Sequence, residues 1–99
     1  MNKQKAKIDG LTYEQNRIYE LLKNRGGWFT NSELSQYSGY DERMIRSIIQ
    51  SLRMKGIPIA SGNDGYIIDI RETKNTIKVM QAHIKTLTET VKALKQSTR

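Results

Sequence analysis

The chain has 99 residues, 36% of them hydrophobic, and a chain of this length has room for one compact core. It contains no cysteine and a single histidine, His83, so we expect neither disulfides nor a metal site nor a cofactor. No segment has the apolar length of a signal peptide or a membrane span, which predicts a soluble cytoplasmic protein without membrane partners.

The formal net charge of +7 is unevenly distributed along the chain. Residues 1–10 contribute +2 and residues 70–99 contribute +5, whereas residues 11–69 carry seven basic and seven acidic side chains. A net positive charge favours an anionic partner such as nucleic acid. Residues 11–69 are neutral overall, so their net charge does not point to such a partner. We expect residues 1–10 to form a flexible basic tail.

A first helix is predicted to begin at Thr12, because Thr12 and Gln15 have the spacing of a capping box. The helix should end near Arg25, where Gly26-Gly27 supplies left-handed backbone conformations. Trp28-Phe29 follows as a very short extended piece, and we expect both aromatic side chains to fill the core.

Two further helices follow in the sequence. Thr30 and Glu33 form a second capping box, which opens a helix of barely two turns that Ser38-Gly39 closes. Asp41 caps a third helix. One face of this helix is apolar at i, i+3, i+4 and i+7 and should pack inward: Ile45, Ile48, Ile49 and Leu52. The opposite face carries hydrogen-bonding side chains suited to a nucleic-acid groove: Arg43, Arg46, Ser47 and Gln50.

Two β-rich runs, residues 57–60 and 66–70, flank a loop of Gly, Asn and Asp residues at 61–65. This pattern predicts a β-hairpin. The loop has no Lys or Arg and carries Asp64, so we expect no strong contact between the loop and a phosphate.

The last thirty residues, 70–99, repeat apolar side chains every seven positions. Four β-branched a positions with Met and Leu at most d positions favour a parallel two-stranded coiled coil. Because no opposite-charge pair crosses between the e and g positions, parallel and antiparallel pairing both stay open. We expect homodimerisation through these positions: Ile70, Ile77, Met80, Ile84, Leu87, Val91 and Leu94.

The order of helix, short strand, helix, turn, helix and hairpin resembles the winged helix-turn-helix family, particularly the N-terminal DNA-binding domain of biotin repressors and related bacterial and phage regulators. The strongest match is residues 49–59 followed by Gly65-Tyr66. In that family the recognition helix ends in a similar leucine, basic residue and glycine, and the wing opens with a similar apolar-proline-apolar run. The resemblance implies a mainly α fold, an α+β winged helix at residues 11–69, with the long dimerisation helix added at residues 70–99.

The resemblance also implies a homodimeric protein that binds double-stranded DNA, a transcriptional regulator of bacterial or phage type. Residues 41–55 would be the recognition helix in the major groove. The side chains implied to read bases are Arg43, Arg46, Ser47 and Gln50. Those implied to hold a phosphate at a helix start are Thr30, Asn31 and Ser32.

Two other interpretations stay open. The first is a winged-helix module that binds a protein, such as a phage-encoded adaptor or inhibitor, and the second is a replication-initiation accessory protein. An enzyme is not expected and no catalytic residue is assigned, because the sequence has no glycine-rich phosphate loop, no nucleophile with a base partner and no suggestive carboxylate pair.

Overall fold

The computed structural model describes residues 10–98, so most of the expected basic tail lies outside the described residues. The elements follow in the order α1 (Tyr13–Arg25), α2 (Asn31–Ser38), α3 (Glu42–Met54), β1 (Ile59–Gly62), β2 (Gly65–Ile68) and α4 (Ile70–Ser97). The predicted fold class, three helices with a β-hairpin and a long C-terminal helix, is confirmed. Among the described helices, none has an apolar stretch long enough to cross a membrane.

The first three helices begin at the residues predicted to cap them. The Thr12 and Thr30 hydroxyls each accept from the backbone N–H three residues on, while Gln15 and Glu33 accept from the N–H of the cap residue itself. Asp41 accepts from a first-turn N–H at 2.8 Å. Each such cap contributes about 1 kcal/mol. Local sequence therefore determines where these helices begin.

One apolar cluster lies between the three helices and the hairpin. It contains the predicted inner face of α3, and Leu52 is completely buried there. Trp28 is only half-buried and lies against Gly62 of β1, so the expectation of full burial holds for Phe29 alone of the aromatic pair. The members of the cluster are Ile18, Leu22, Phe29, Leu34, Ile45, Ile48, Ile49, Leu52, Ile57 and Ile59.

The hairpin is tighter than the sequence predicts. β1 and β2 pair antiparallel, and Gly62 lies opposite Gly65, so only Asn63 and Asp64 form the turn. Most of the residues assigned to a five-residue loop at 61–65 therefore belong to the strands, because the two glycines allow pairing to continue to the turn.

The extended piece before α2 joins the hairpin. Phe29 and Tyr66 exchange two backbone hydrogen bonds of 2.8 Å, which confirms the short strand-like segment. The chain approaches Gly65 so closely that a Cβ there would collide with the backbone of Phe29 and Thr30, and Gly65 has a φ of 109°. Glycine is required at this position on both grounds.

The long helix α4 begins on the hairpin and then leaves it. Asp69 caps α4 by accepting from the Glu72 N–H at 3.2 Å. Thr76 is buried against β1, where its hydroxyl accepts from the Ser61 N–H at 3.1 Å. From residue 81 to residue 98 every residue is exposed. The second half of α4 therefore extends away from the domain.

Candidate nucleic-acid interface

The outer face of α3 brings together the four side chains predicted to read bases. They recur at i, i+3, i+4 and i+7, which places them on one side of the helix, and all four are exposed while the opposite side lies in the core. We call this surface the α3 stripe: Arg43, Arg46, Ser47 and Gln50. The stripe offers donors and acceptors at the spacing of one helix face.

The cationic groups of the α3 stripe are uncommitted. Within residues 10–98 the ion pair found joins Arg25 to Glu33 at 3.3 Å, and neither Arg43 nor Arg46 has a carboxylate or carbonyl partner. An unpaired guanidinium can donate two parallel hydrogen bonds to guanine or to a phosphate. The stripe is therefore chemically suited to nucleic acid.

The start of α2 already carries a negative charge, the carboxylate of Glu33. The Thr30 hydroxyl accepts from the Glu33 N–H at 3.0 Å, and the Glu33 carboxylate accepts from the Thr30 N–H at 3.0 Å. This backbone hydrogen bond lowers the pKa of Glu33 below its usual 4.5, and the charge of Arg25 lowers it further. Thr30 is therefore engaged in capping, and a phosphate would meet a carboxylate beside it.

Asn31 and Ser32 differ in what they can contact. Asn31 is half-buried and its Nδ2 lies 3.5 Å from the Glu42 carbonyl oxygen, so it faces the start of α3. Its Oδ1 is buried and makes no hydrogen bond within the described part of the chain. Ser32 is exposed, and the first amides of a helix have no intrahelical partner. Of the three residues predicted to hold phosphate, Ser32 is the one that faces solvent.

Arg53, a basic residue that sequence reasoning did not assign, lies on the flank of α3. Its Nε donates to the Ile59 carbonyl at 2.9 Å, and its Nη2 is buried without a partner among residues 10–98. Burial lowers the pKa of this guanidinium. Its signal in the sequence is its place directly after the buried Leu52, which puts it at the edge of the core.

The residues predicted to form the dimer seam lie on α4. All seven are exposed in the single chain, and His83 is exposed beside them. The exposed fractions of the six from Ile77 to Leu94 range from 42% to 60%. We call these six side chains the α4 stripe: Ile77, Met80, Ile84, Leu87, Val91 and Leu94.

Comparison with known families places part of the chain in a described family. A family model described as an HTH (helix-turn-helix) domain matches residues 14–67, from the second residue of α1 to the last but one of β2. This is more than half of the chain. Together with the three helices and the two-stranded hairpin, this family match confirms the resemblance to winged helix-turn-helix domains. No curated protein and no solved structure matched the chain.

Proposed function

Because the chain belongs to the HTH domain family, we propose that it is a homodimeric transcriptional regulator that binds specific sites on double-stranded DNA. Membership supports a DNA-binding regulator in general, which is a non-enzymatic role. The observation that carries the finer proposal is the exposed, unpaired α3 stripe. The resemblance to bacterial and phage regulators favours a role of that type, in the cytoplasm where the DNA lies.

The proposed mechanism places α3 in the major groove. A helix fits this groove, where each base pair presents its own pattern of donors and acceptors. Arg43 and Arg46 can each pair with O6 and N7 of guanine, and Gln50 with N6 and N7 of adenine. Each good pair discriminates by about 1 to 3 kcal/mol. Ser32, at the neighbouring start of α2, would contact the phosphate backbone and fix the register.

The homodimer is supported by the α4 stripe. Single soluble domains rarely expose a continuous apolar surface of this length, and such surfaces mark interaction sites. A second copy would cover it with the same heptad pattern. Dimerisation would also present two α3 helices to successive turns of the duplex.

A second candidate function is a module that binds a protein. It is favoured by the balanced charge of residues 11–69 and by the turn of the hairpin, where Asp64 is exposed and no basic side chain is present. A negative potential at the wing weakens non-specific attraction to phosphate. This function would leave the chain unable to select any DNA site.

The test is to select a site from a random duplex library and to measure variants on that site and on scrambled DNA at one salt concentration. Arg46→Ala should lose about 1 to 3 kcal/mol per half-site on the selected duplex and much less on the scrambled one. The matched control is Lys78→Ala, which removes an exposed charge from α4 and should lower both affinities equally or neither.

Equal losses for Arg46→Ala on the two duplexes would contradict a reading role for α3. Failure to enrich any site would contradict sequence-specific DNA binding and favour the second candidate function.

A further inference from the structure

Six of the seven basic residues of the segment 70–99 lie along one side of α4. With Ile70 at an a position, they occupy the b and e positions of the heptads, which are neighbours on the helix surface at i, i+3 and i+4. All six are exposed. We call this surface the basic face of α4: Arg71, Lys74, Lys78, Lys85, Lys92 and Lys95.

The basic face has no counter-charge of its own. The two acidic residues of α4 are Glu72, at a c position, and Glu89, at an f position, so neither lies among the b and e positions. Glu89 borders the face one turn after Lys85, yet among residues 10–98 no ion pair joins it to a lysine. The positive charges of the face are therefore available to a ligand.

Like charges are neighbours on this face. Arg71 and Lys74 are three residues apart, as are Lys92 and Lys95, and Lys74 and Lys78 are four apart. Like charges at these spacings repel and destabilise a helix. A helix face that is simply exposed to solvent more often alternates the sign of its charges. An anionic surface laid along the basic face would remove this repulsion.

The winged domain itself offers few cations to phosphate. Residues 11–69 have a net charge of zero, whereas residues 70–99 contribute +5 of the +7 of the chain. The turn of the hairpin carries the exposed Asp64 and no basic side chain, and the Glu33 carboxylate lies at the start of α2. Affinity for DNA depends on how many phosphates Lys and Arg neutralise. A DNA-binding protein built on this domain therefore needs cations from another element.

We propose that the basic face of α4 binds the phosphate backbone of duplex DNA, so that α3 reads bases while α4 supplies much of the affinity that is independent of sequence. This inference rests on the proposed DNA binding and adds a second contact surface to it. From Arg71 to Lys95 the face is about 36 Å long at the helical rise per residue. Duplex DNA carries one negative charge per about 1.7 Å of its axis, so phosphates are available along the whole face.

The basic face stays accessible when the apolar α4 stripe is covered. In a two-stranded coiled coil the a and d positions form the seam, and the b positions lie outside it. The winged domain does not cover the far lysines either, because every residue from 81 to 98 is exposed. Lys78, Lys85 and Lys92, all at b positions, can thus contact DNA from a monomer or from a dimer of either orientation.

The salt dependence of binding tests this role. The triple variant Lys78→Gln, Lys85→Gln, Lys92→Gln removes three charges and introduces residues that also favour helix. Each phosphate contact that is lost reduces the slope of the logarithm of the association constant against the logarithm of salt concentration by about 0.9. The slope should therefore become shallower by about 2 to 3 for each chain. Affinities for the selected and the scrambled duplex should fall by the same factor, because phosphate contacts carry no base information.

The matched control makes the same change of net charge on another side of α4. Val79→Glu, Thr86→Glu, Ala93→Glu places three carboxylates at exposed c positions, about 100° around the helix from the b positions. The slope of this control should stay close to that of the unaltered chain. An unaltered slope for the lysine variant, or an equal reduction in the control, would overturn the inference.

Lysine modification reports the contact directly. The unaltered protein is acetylated with and without duplex DNA, and the modified lysines are identified by mass spectrometry. Lys78, Lys85 and Lys92 should be protected several-fold by the duplex, whereas Lys23, exposed on α1, is the reference and should be modified equally in both samples. Protection by vesicles of anionic phospholipid but not by duplex would overturn the inference in favour of a membrane surface.

The outcomes separate this inference from the proposed function on which it rests. Selection of a DNA site without protection of the three lysines would overturn the role of α4 and keep the proposed regulator. No binding to any duplex at low salt would overturn both.

Discussion

Arg43 and Arg53 lie ten residues apart on α3 and have opposite environments. Arg43 is exposed and unpaired within residues 10–98, whereas Arg53 is half-buried and donates to Ile59. Helical periodicity was sufficient to place Arg43 on the outer face. It could not place Arg53, because the burial of that side chain depends on β1, which returns to α3 from later in the chain.

Thr30 and Asn31 show a second limit of sequence reasoning at the residue scale. A threonine oxygen at a helix start can accept from its own helix or contact a ligand, and the sequence pattern is the same for both. The structure gives Thr30 the capping role and turns Asn31 toward α3. Ser32 alone retains the predicted exposure.

Leu52 should be sensitive to truncation of its side chain. Its side chain is fully buried beside Ile18 and Phe29 in the apolar cluster, so Leu52→Ala should lower the free energy of unfolding by about 2 to 5 kcal/mol through lost burial and a cavity. Met54→Ala, two residues on and 77% exposed, is the control and should change it little. Urea unfolding at one protein concentration measures both. Equal midpoints for the two variants would show that α3 is packed differently.

At the scale of elements, helix starts were predicted more accurately than the hairpin. The capping boxes at Thr12 and Thr30 depend on residues three apart, and such local signals survive in any fold. The length of the turn depends instead on how far two strands continue to pair. Gly62 and Gly65 were assigned to a loop because glycine is typical of turns, although here they pair in the strands.

The second helix should carry an acid-sensitive contribution to stability. Glu33 has a lowered pKa because the folded chain favours its carboxylate through the Thr30 amide and Arg25. The charged carboxylate therefore stabilises the fold at pH values above 4.5, the pKa of this group in the unfolded chain. This stabilisation is lost as the pH falls below 4.5 and passes the lower pKa of the folded chain. Glu33→Gln keeps an acceptor for the Thr30 N–H but removes the charge.

Thermal unfolding between neutral and acidic pH measures this contribution. The unaltered chain should lose stability more steeply below the ordinary glutamate pKa than the Glu33→Gln chain does. Glu89→Gln, which removes an exposed carboxylate from the far part of α4, is the control and should follow the unaltered chain. Parallel curves for all three proteins would contradict a role for the Glu33 charge in holding α2.

At the scale of the whole molecule, the heptads predicted a long C-terminal helix, and α4 is observed at Ile70–Ser97. The direction of pairing could not be derived from the heptads. The contact of α4 with the hairpin could not be derived from them either, because the hydrogen bond between Ser61 and Thr76 joins residues fifteen positions apart. Dimerisation itself remains a prediction.

Ile84→Asp should convert the dimer to a monomer. Ile84 is 60% exposed in the single chain and lies in the middle of the α4 stripe, where a partner would bury the new carboxylate without a counter-ion at a cost of several kcal/mol. Lys85→Asp, one residue on and also exposed, points away from the seam and should leave the dimer intact. Sedimentation at tens of micromolar protein distinguishes the two, and a monomeric unaltered chain would contradict dimerisation through α4.

The central claim, that this chain binds DNA through cationic side chains, is tested most directly by its affinity for duplex DNA as a function of salt. A protein that neutralises phosphates releases counterions, so the logarithm of the association constant falls linearly with the logarithm of salt concentration. We expect a slope on the order of −4 to −8 for the unaltered dimer. A slope near zero, or no binding at low salt, would contradict DNA binding by this protein.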